Sequence, residues 1–66
     1  MDLCKRIGGN IQKMRVSKKL SQEELAHNAG IDRSYLSEIE SGYKNLSVLI
    51  LAQIANALEM DIRDLF

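Results

Sequence analysis

Proline is absent from this chain, and cysteine and histidine occur once each. No proline interrupts a helix, and the hydrophobic share reaches 45%, so a compact all-helical bundle is favoured. One thiol, Cys4, cannot close an internal disulfide, which fits a reducing compartment. No apolar run is long enough to cross a bilayer. Met1 to Asn10 carries charge but no hydrophobic signal-peptide core. These absences predict a cytoplasmic protein with no membrane partner. Catalytic sets are missing too: there is no glycine-rich phosphate loop and no carboxylate pair in a plausible cleft. A chain of 66 residues also has little room for a substrate pocket. An enzyme is not expected, nor is a metal or cofactor. The length predicts one domain, residues 1–66, whose small core dimerisation would help to stabilise.

Net charge is also missing: nine basic residues balance nine acidic ones. Taken alone, that argues against a nucleic-acid partner. The distribution reverses the argument. Met1 to Lys19 holds Lys5, Arg6, Lys13, Arg15, Lys18 and Lys19 against Asp2 alone. From Leu20 onward, Arg33, Lys44 and Arg63 face eight acids. A molecule polarised in this way can turn one basic surface to phosphates and keep its acidic end away.

What is present is concentrated between Ser21 and Ser41. Ser21 and Glu24 form an S-x-x-E capping box, which predicts a helix over Gln22–Ala29. Leu25, Ala26 and Ala29 give it an apolar stripe. Gly30 follows, where a left-handed residue ends a helix without a Cβ clash. Ile31 plugs the corner. Asp32 is placed to cap a further helix, over Arg33–Ser41, with Leu36 and Ile39 buried. Arg33, Ser34, Tyr35, Ser37 and Glu38 are left facing out. Two short helices on so tight a turn form a helix-turn-helix, whose second helix suits a DNA major groove. Arg33, in the first turn, can pair with guanine O6 and N7, and Ser34 can touch a base edge or a thymine methyl. Tyr35 can pack on the DNA backbone or on the protein core. Glu38 can accept from a cytosine amino group or simply be hydrated.

The segment resembles the Cro/C1-repressor type of DNA-binding domain. Gln22, Ala26, Gly30, Ile39, Glu40 and Ser41-Gly42 stand where that family has its marker residues. Asp32 to Ser37 and Asn45-Leu46-Ser47 resemble controller proteins of restriction-modification systems. The resemblance implies a lambda-repressor-like fold and a sequence-specific regulator binding a palindromic operator as a homodimer. It further implies control of its own gene and of an endonuclease gene, with RNA polymerase as a further partner. It assigns Gln22 to a phosphate and to buttressing the recognition helix, and Glu40 to an internal salt bridge with Arg15. Ser21 and the free N–H groups at its helix start form an anion site. Arg15, Lys18, Lys19, Lys44 and Asn45 complete the expected phosphate contacts. A phage-type repressor and an antitoxin-like interaction module are the competing readings; the neutral charge favours the latter.

Outside this segment the pattern predicts a first helix over Leu3–Lys18 with the stripe Leu3, Ile7, Ile11 and Met14. Gly8-Gly9 inside it weakens the helix, unless a neighbour packs closely there. A fourth helix runs from a cap at Ser47 or Asn45 to about Leu58, and Asp61 caps a fifth containing Leu65 and Phe66. On the fourth helix Val48, Leu51, Ile54, Ala55 and Leu58 share a core face. Leu46, Leu49, Ile50 and Ala57 lie nearly opposite. A second apolar face needs a second partner, either helix one or helix five within the fold or another copy of the chain; the homodimer is favoured, with Leu46, Leu49, Ile50, Ala57, Leu65 and Phe66 as its expected interface. The whole is a five-helix bundle.

Overall fold

Asp2 opens the first helix by accepting from the backbone N–H of Cys4 at 3.0 Å, and the chain then alternates capped helices with short turns. The computed structural model describes residues 2–43 and 46–66. Helix α1 spans Leu3–Ser17, α2 Gln22–Ala29, α3 Arg33–Glu40 and α4 Val48–Ala57. A 3-10 turn over Ile62–Leu65 follows. The expected fifth helix is therefore a single 3-10 turn. Asp64 N–H bonds the Asp61 carbonyl at 2.9 Å and Phe66 N–H the Arg63 carbonyl, the i→i+3 spacing of that tighter coil.

The caps decide the boundaries. Ser21 Oγ accepts from Glu24 N–H at 3.0 Å, and Glu24 Oε1 accepts from Ser21 N–H at 2.9 Å, so the capping box is complete. Ser47, rather than Asn45, caps α4 through the Ile50 N–H. Asp32 has the extended backbone of an N-cap but makes no side-chain cap bond. Its carboxylate is exposed, so leaving the cap bond unmade costs little in water.

Among the described residues, twelve side chains form the core. Ile7 and Ile11 come from α1, Leu25, Ala26 and Ala29 from α2, Leu36 and Ile39 from α3. Leu51, Ile54, Ala55, Leu58 and Leu65 close it. Two expected stripe members lie outside. Val48 is 75% exposed and Leu3 51%. Each is the first residue of its helix, projecting past the layer its neighbours cover. Together with Ile7, Leu51 and Phe66 they border an apolar cleft of about 210 Å³.

Gly8 explains how α1 meets the helix-turn-helix. A Cβ there would collide with the carbonyl oxygen of Ile39 and lie 3.0 Å from that of Glu40. The bare glycine thus lets α1 rest directly on the backbone of α3. A Cβ at Gly9, beside it, would have nothing within 4 Å, so only one of the pair is a packing requirement.

Candidate nucleic-acid interface

Gly30 makes the corner. Its φ of +74 belongs to the left-handed region, and Ile31 N–H bonds back to Ala26 while its side chain packs on the core. That corner fixes the angle at which α3 leaves α2 and sets its first turn at the surface. Arg33 and Ser34 are exposed there. Ser37 and Glu38, one turn on, are half-buried, as is Tyr35, which packs against the core. The outward face is thus polar and narrows to Arg33 and Ser34 at its N-terminal end.

A chain of polar contacts joins that end to the scaffold. Arg15 Nε donates to Glu40 Oε2 at 2.9 Å and Nη2 to Glu40 Oε1 at 3.2 Å. The Arg15 and Glu40 side chains are only 12% and 4% exposed. Removing one partner of such a pair leaves an uncompensated charge inside, which costs about 3–5 kcal/mol. Glu40 Oε1 also accepts from Gln22 Nε2 at 3.0 Å. The other end of the same amide, Gln22 Oε1, accepts from Arg33 Nη1 at 3.5 Å. The orientation of Gln22 follows from chemistry. A carboxylate only accepts and a guanidinium only donates, so one amide orientation satisfies both.

This geometry revises the expected role of Arg15. Its Nη1 donates to the Leu20 carbonyl at 2.8 Å, so all three of its nitrogens are used inside the protein. Arg15 is scaffold, and its expected phosphate contact is withdrawn. The expected ion pair with Glu40 is present. The remaining basic residues of the first segment, Lys5, Arg6, Lys13, Lys18 and Lys19, are exposed. Lys18 and Lys19 lie in the connection between α1 and α2, beside Ser21. At the start of α2, Ser21 N–H is taken by Glu24, and Glu23 and Glu24 already occupy the first turn. The helix terminus is therefore partly compensated by its own carboxylates. The backbone bond from Ser21, then that residue's hydroxyl, holds the Glu24 carboxyl below its usual range. Lys44 and Asn45, also expected at phosphates, lie outside the described residues.

Sequence reasoning counted Lys5 only as a basic residue and missed its packing position. Its Cα lies 3.0 Å from where a Gly42 Cβ would stand, so the start of α1 backs the turn that ends α3. It also missed the Gln22–Glu40 bond, which joins residues 18 apart and leaves no mark in local spacing.

On α4, Leu49 is 69% exposed, and after the 3-10 turn Phe66 is 48% exposed. Leu46, Ile50 and Ala57 are half-buried and partly packed on the core. Leu65, expected at the interface, is fully buried. The 3-10 turn folds it inward, where Asn10 Nδ2 holds its carbonyl at 3.0 Å, so it leaves the interface set.

Comparison with known proteins now decides the class, because residues 11–65 match the helix-turn-helix family. The chain belongs to that family. It is a helix-turn-helix transcriptional regulator, similar to control proteins of restriction-modification systems and to phage repressors. It is 38% identical over 66 residues to the control protein C.MunI of a Mycoplasma species, covering 98% of this chain and 89% of that one. It is 38% identical over 56 residues to the immunity repressor of Bacillus phage phi105, covering 85% of this chain and 39% of the repressor. Among solved structures, it resembles the restriction-modification controller protein C.AhdI from Aeromonas hydrophila. That match has a TM-score of 0.93, 38% identity and 96% of both chains covered.

Proposed function

We infer that this helix-turn-helix regulator binds a palindromic operator as a homodimer in the cytoplasm. It places α3 of each subunit in successive major grooves, about one helical turn apart. The observation that carries this reading is the Arg15–Glu40–Gln22–Arg33 chain, which delivers an exposed guanidinium at the first turn of α3 on a rigid support. Arg33 reads a guanine and Ser34 a neighbouring base edge. Tyr35, Ser37 and Glu38 border that contact. Lys18, Lys19, Ser21 and Gln22 set the register on phosphates, joined by Lys44 and Asn45. Leu46, Leu49, Ile50, Ala57 and Phe66 join the two subunits.

The resemblance to C.MunI and C.AhdI supports control of the protein's own gene and of a restriction endonuclease gene. RNA polymerase is then the partner through which activation passes. The likeness to the phi105 repressor supports a second reading, simple repression by occupancy. Both use the same interface.

Selection of bound duplexes from a random pool tests the reading, followed by competition with single-base variants. Arg33→Ala should lose about 1–3 kcal/mol on the selected site and relax preference at one base pair. Lys18→Ala should weaken all duplexes alike. A parent protein that enriches no sequence refutes operator binding, and equal losses for Arg33→Ala on every duplex reduce Arg33 to a phosphate contact.

A further inference from the structure

Asn10 stands in the middle of α1, where asparagine is an indifferent helix former. Its side chain accounts for its presence. The half-buried amide donates from Nδ2 to the Leu65 carbonyl at 3.0 Å and to the Phe66 carbonyl at 3.4 Å. Both acceptors are carbonyls, so the amide nitrogen and not its oxygen faces them. The bonds join residues 55 and 56 positions apart. They also satisfy carbonyls that a short helical turn leaves open at its end. With the Leu65 side chain fully buried, the C-terminal turn is tied to α1 by backbone and side chain together.

The side of α1 that carries this tie is informative. At about 100° per residue, Asn10 lies about 160° from Gly8, and Arg15 within about 20° of Gly8. Gly8 rests on the α3 backbone, and Arg15 holds Glu40, the last residue of α3. Ile7 and Ile11, buried in the core, fall between the two directions. Helix α1 is thus a strut with α3 fixed along one side and the C-terminal turn along the other. We propose that Asn10 is a positioning residue for operator recognition, fixing the separation of the two α3 helices in the dimer and with it the half-site spacing that the protein accepts. The inference rests on the reading of an operator-binding homodimer. In that dimer Phe66 lies at the junction of the subunits, so one path between the two α3 helices runs through each subunit's turn, Asn10 and α1. A palindrome fits only when the recognition helices are held about one helical turn apart. Helix α2 packs on both α3 and α4 and gives a second connection, so losing the Asn10 amide loosens the path without opening the fold.

The test uses the full chain and the operator selected by the parent, with derivatives that add or remove one base pair between the half-sites. Asn10→Leu replaces the amide by an apolar group of similar shape and better helix propensity. Circular dichroism checks its fold, and Asn10→Ala takes its place if it does not fold. Ile11→Val trims the core at the next residue and leaves the Asn10 bonds alone, so it controls for lost stability. The parent should prefer its own spacing. In Asn10→Leu that preference should shrink about tenfold, the scale of one modest hydrogen bond lost from each subunit. Preference for base identity within each half-site should stay parental. Ile11→Val should lower affinity for every spacing by one common factor. An undiminished spacing preference in folded Asn10→Leu overturns the proposal, as does an equal shrinkage in Ile11→Val. If the parent enriches no palindrome, the operator reading itself has failed. If it does and Asn10→Leu keeps the spacing preference, only the role of Asn10 has failed.

Discussion

Two adjacent glycines in α1 should respond in opposite directions to the same substitution. Gly8 and Gly9 both lie inside Leu3–Ser17, and each costs the helix about 1 kcal/mol relative to alanine. At Gly9 a methyl meets nothing within 4 Å. Gly9→Ala should therefore keep the full propensity gain and stabilise the protein by about 1 kcal/mol. For a domain of this size that raises Tm by roughly 4–8 °C. At Gly8 the methyl would collide with the Ile39 carbonyl oxygen, with the Glu40 carbonyl carbon 3.1 Å away. The obstacle is backbone, so no rotamer change relieves it, and α3 itself must move. Overpacking of this kind costs about 1–3 kcal/mol. At the upper end, where a backbone obstacle belongs, the propensity gain leaves a net loss of about 2 kcal/mol. Thermal and urea unfolding at equal protein concentration measure both, since the stability of the proposed dimer would depend on concentration. Gly8→Ala should also weaken operator binding, because displacing α3 pulls Glu40 from Arg15 and Gln22. A Gly8→Ala protein as stable as Gly9→Ala would refute the direct rest of α1 on the α3 backbone.

Leu49→Glu puts a charge on the exposed apolar flank of α4 while leaving the protomer core intact, so sedimentation should yield folded monomers with weakened operator binding; an unchanged dimer would move the interface elsewhere. Acid stability should depend on Glu24, whose folded carboxyl titrates below its usual range because Ser21 N–H and Oγ bond it. A lowered folded value means its contribution is complete above the ordinary carboxylate pKa of about 4.3 and is lost as pH falls through the folded value. Glu24→Gln keeps a capping-box side chain that cannot titrate, so the acid limb of a stability–pH curve should flatten; an unaltered limb would assign the effect to other carboxylates.

The helix-turn-helix was legible because its signals are local. The Ser21–Glu24 box, the left-handed Gly30 and the Ser47 cap each depend on residues within a few positions, so their chemistry shows in the sequence. Features that depend on distant partners did not. Arg15 sits in a run of basic residues and reads as one more phosphate ligand. Its true partner, Glu40, lies 25 residues away and was reached by resemblance to a family, not by spacing. Lys19 and Glu59 take left-handed backbones without being glycine, so the ends of α1 and α4 carried no marker. Val48 illustrates the limit of periodicity. It has the angular position of a core residue but the axial position of a helix end, and only tertiary packing distinguishes the two.

The withdrawal of Arg15 from the surface changes how the neutral charge should be understood. The buried Arg15–Glu40 pair cancels internally and contributes little field outside. On the proposed function, the cations left to face phosphates are Lys18 and Lys19 beside α2, joined by Lys44. That is a modest set of cations, and long-range attraction falls off over about 8–10 Å at ordinary salt. Such a protein gains less from electrostatic steering and must gain more from short-range hydrogen bonds made in the right place. Those bonds require a stiff frame. The close approach at Gly8, the clamped Glu40 and the oriented Gln22 amide supply it, each removing a degree of freedom from the helix that carries Arg33. On the proposed operator reading, rigidity at α3 and weak net charge are two sides of one arrangement, in which contact geometry rather than bulk charge selects the sequence.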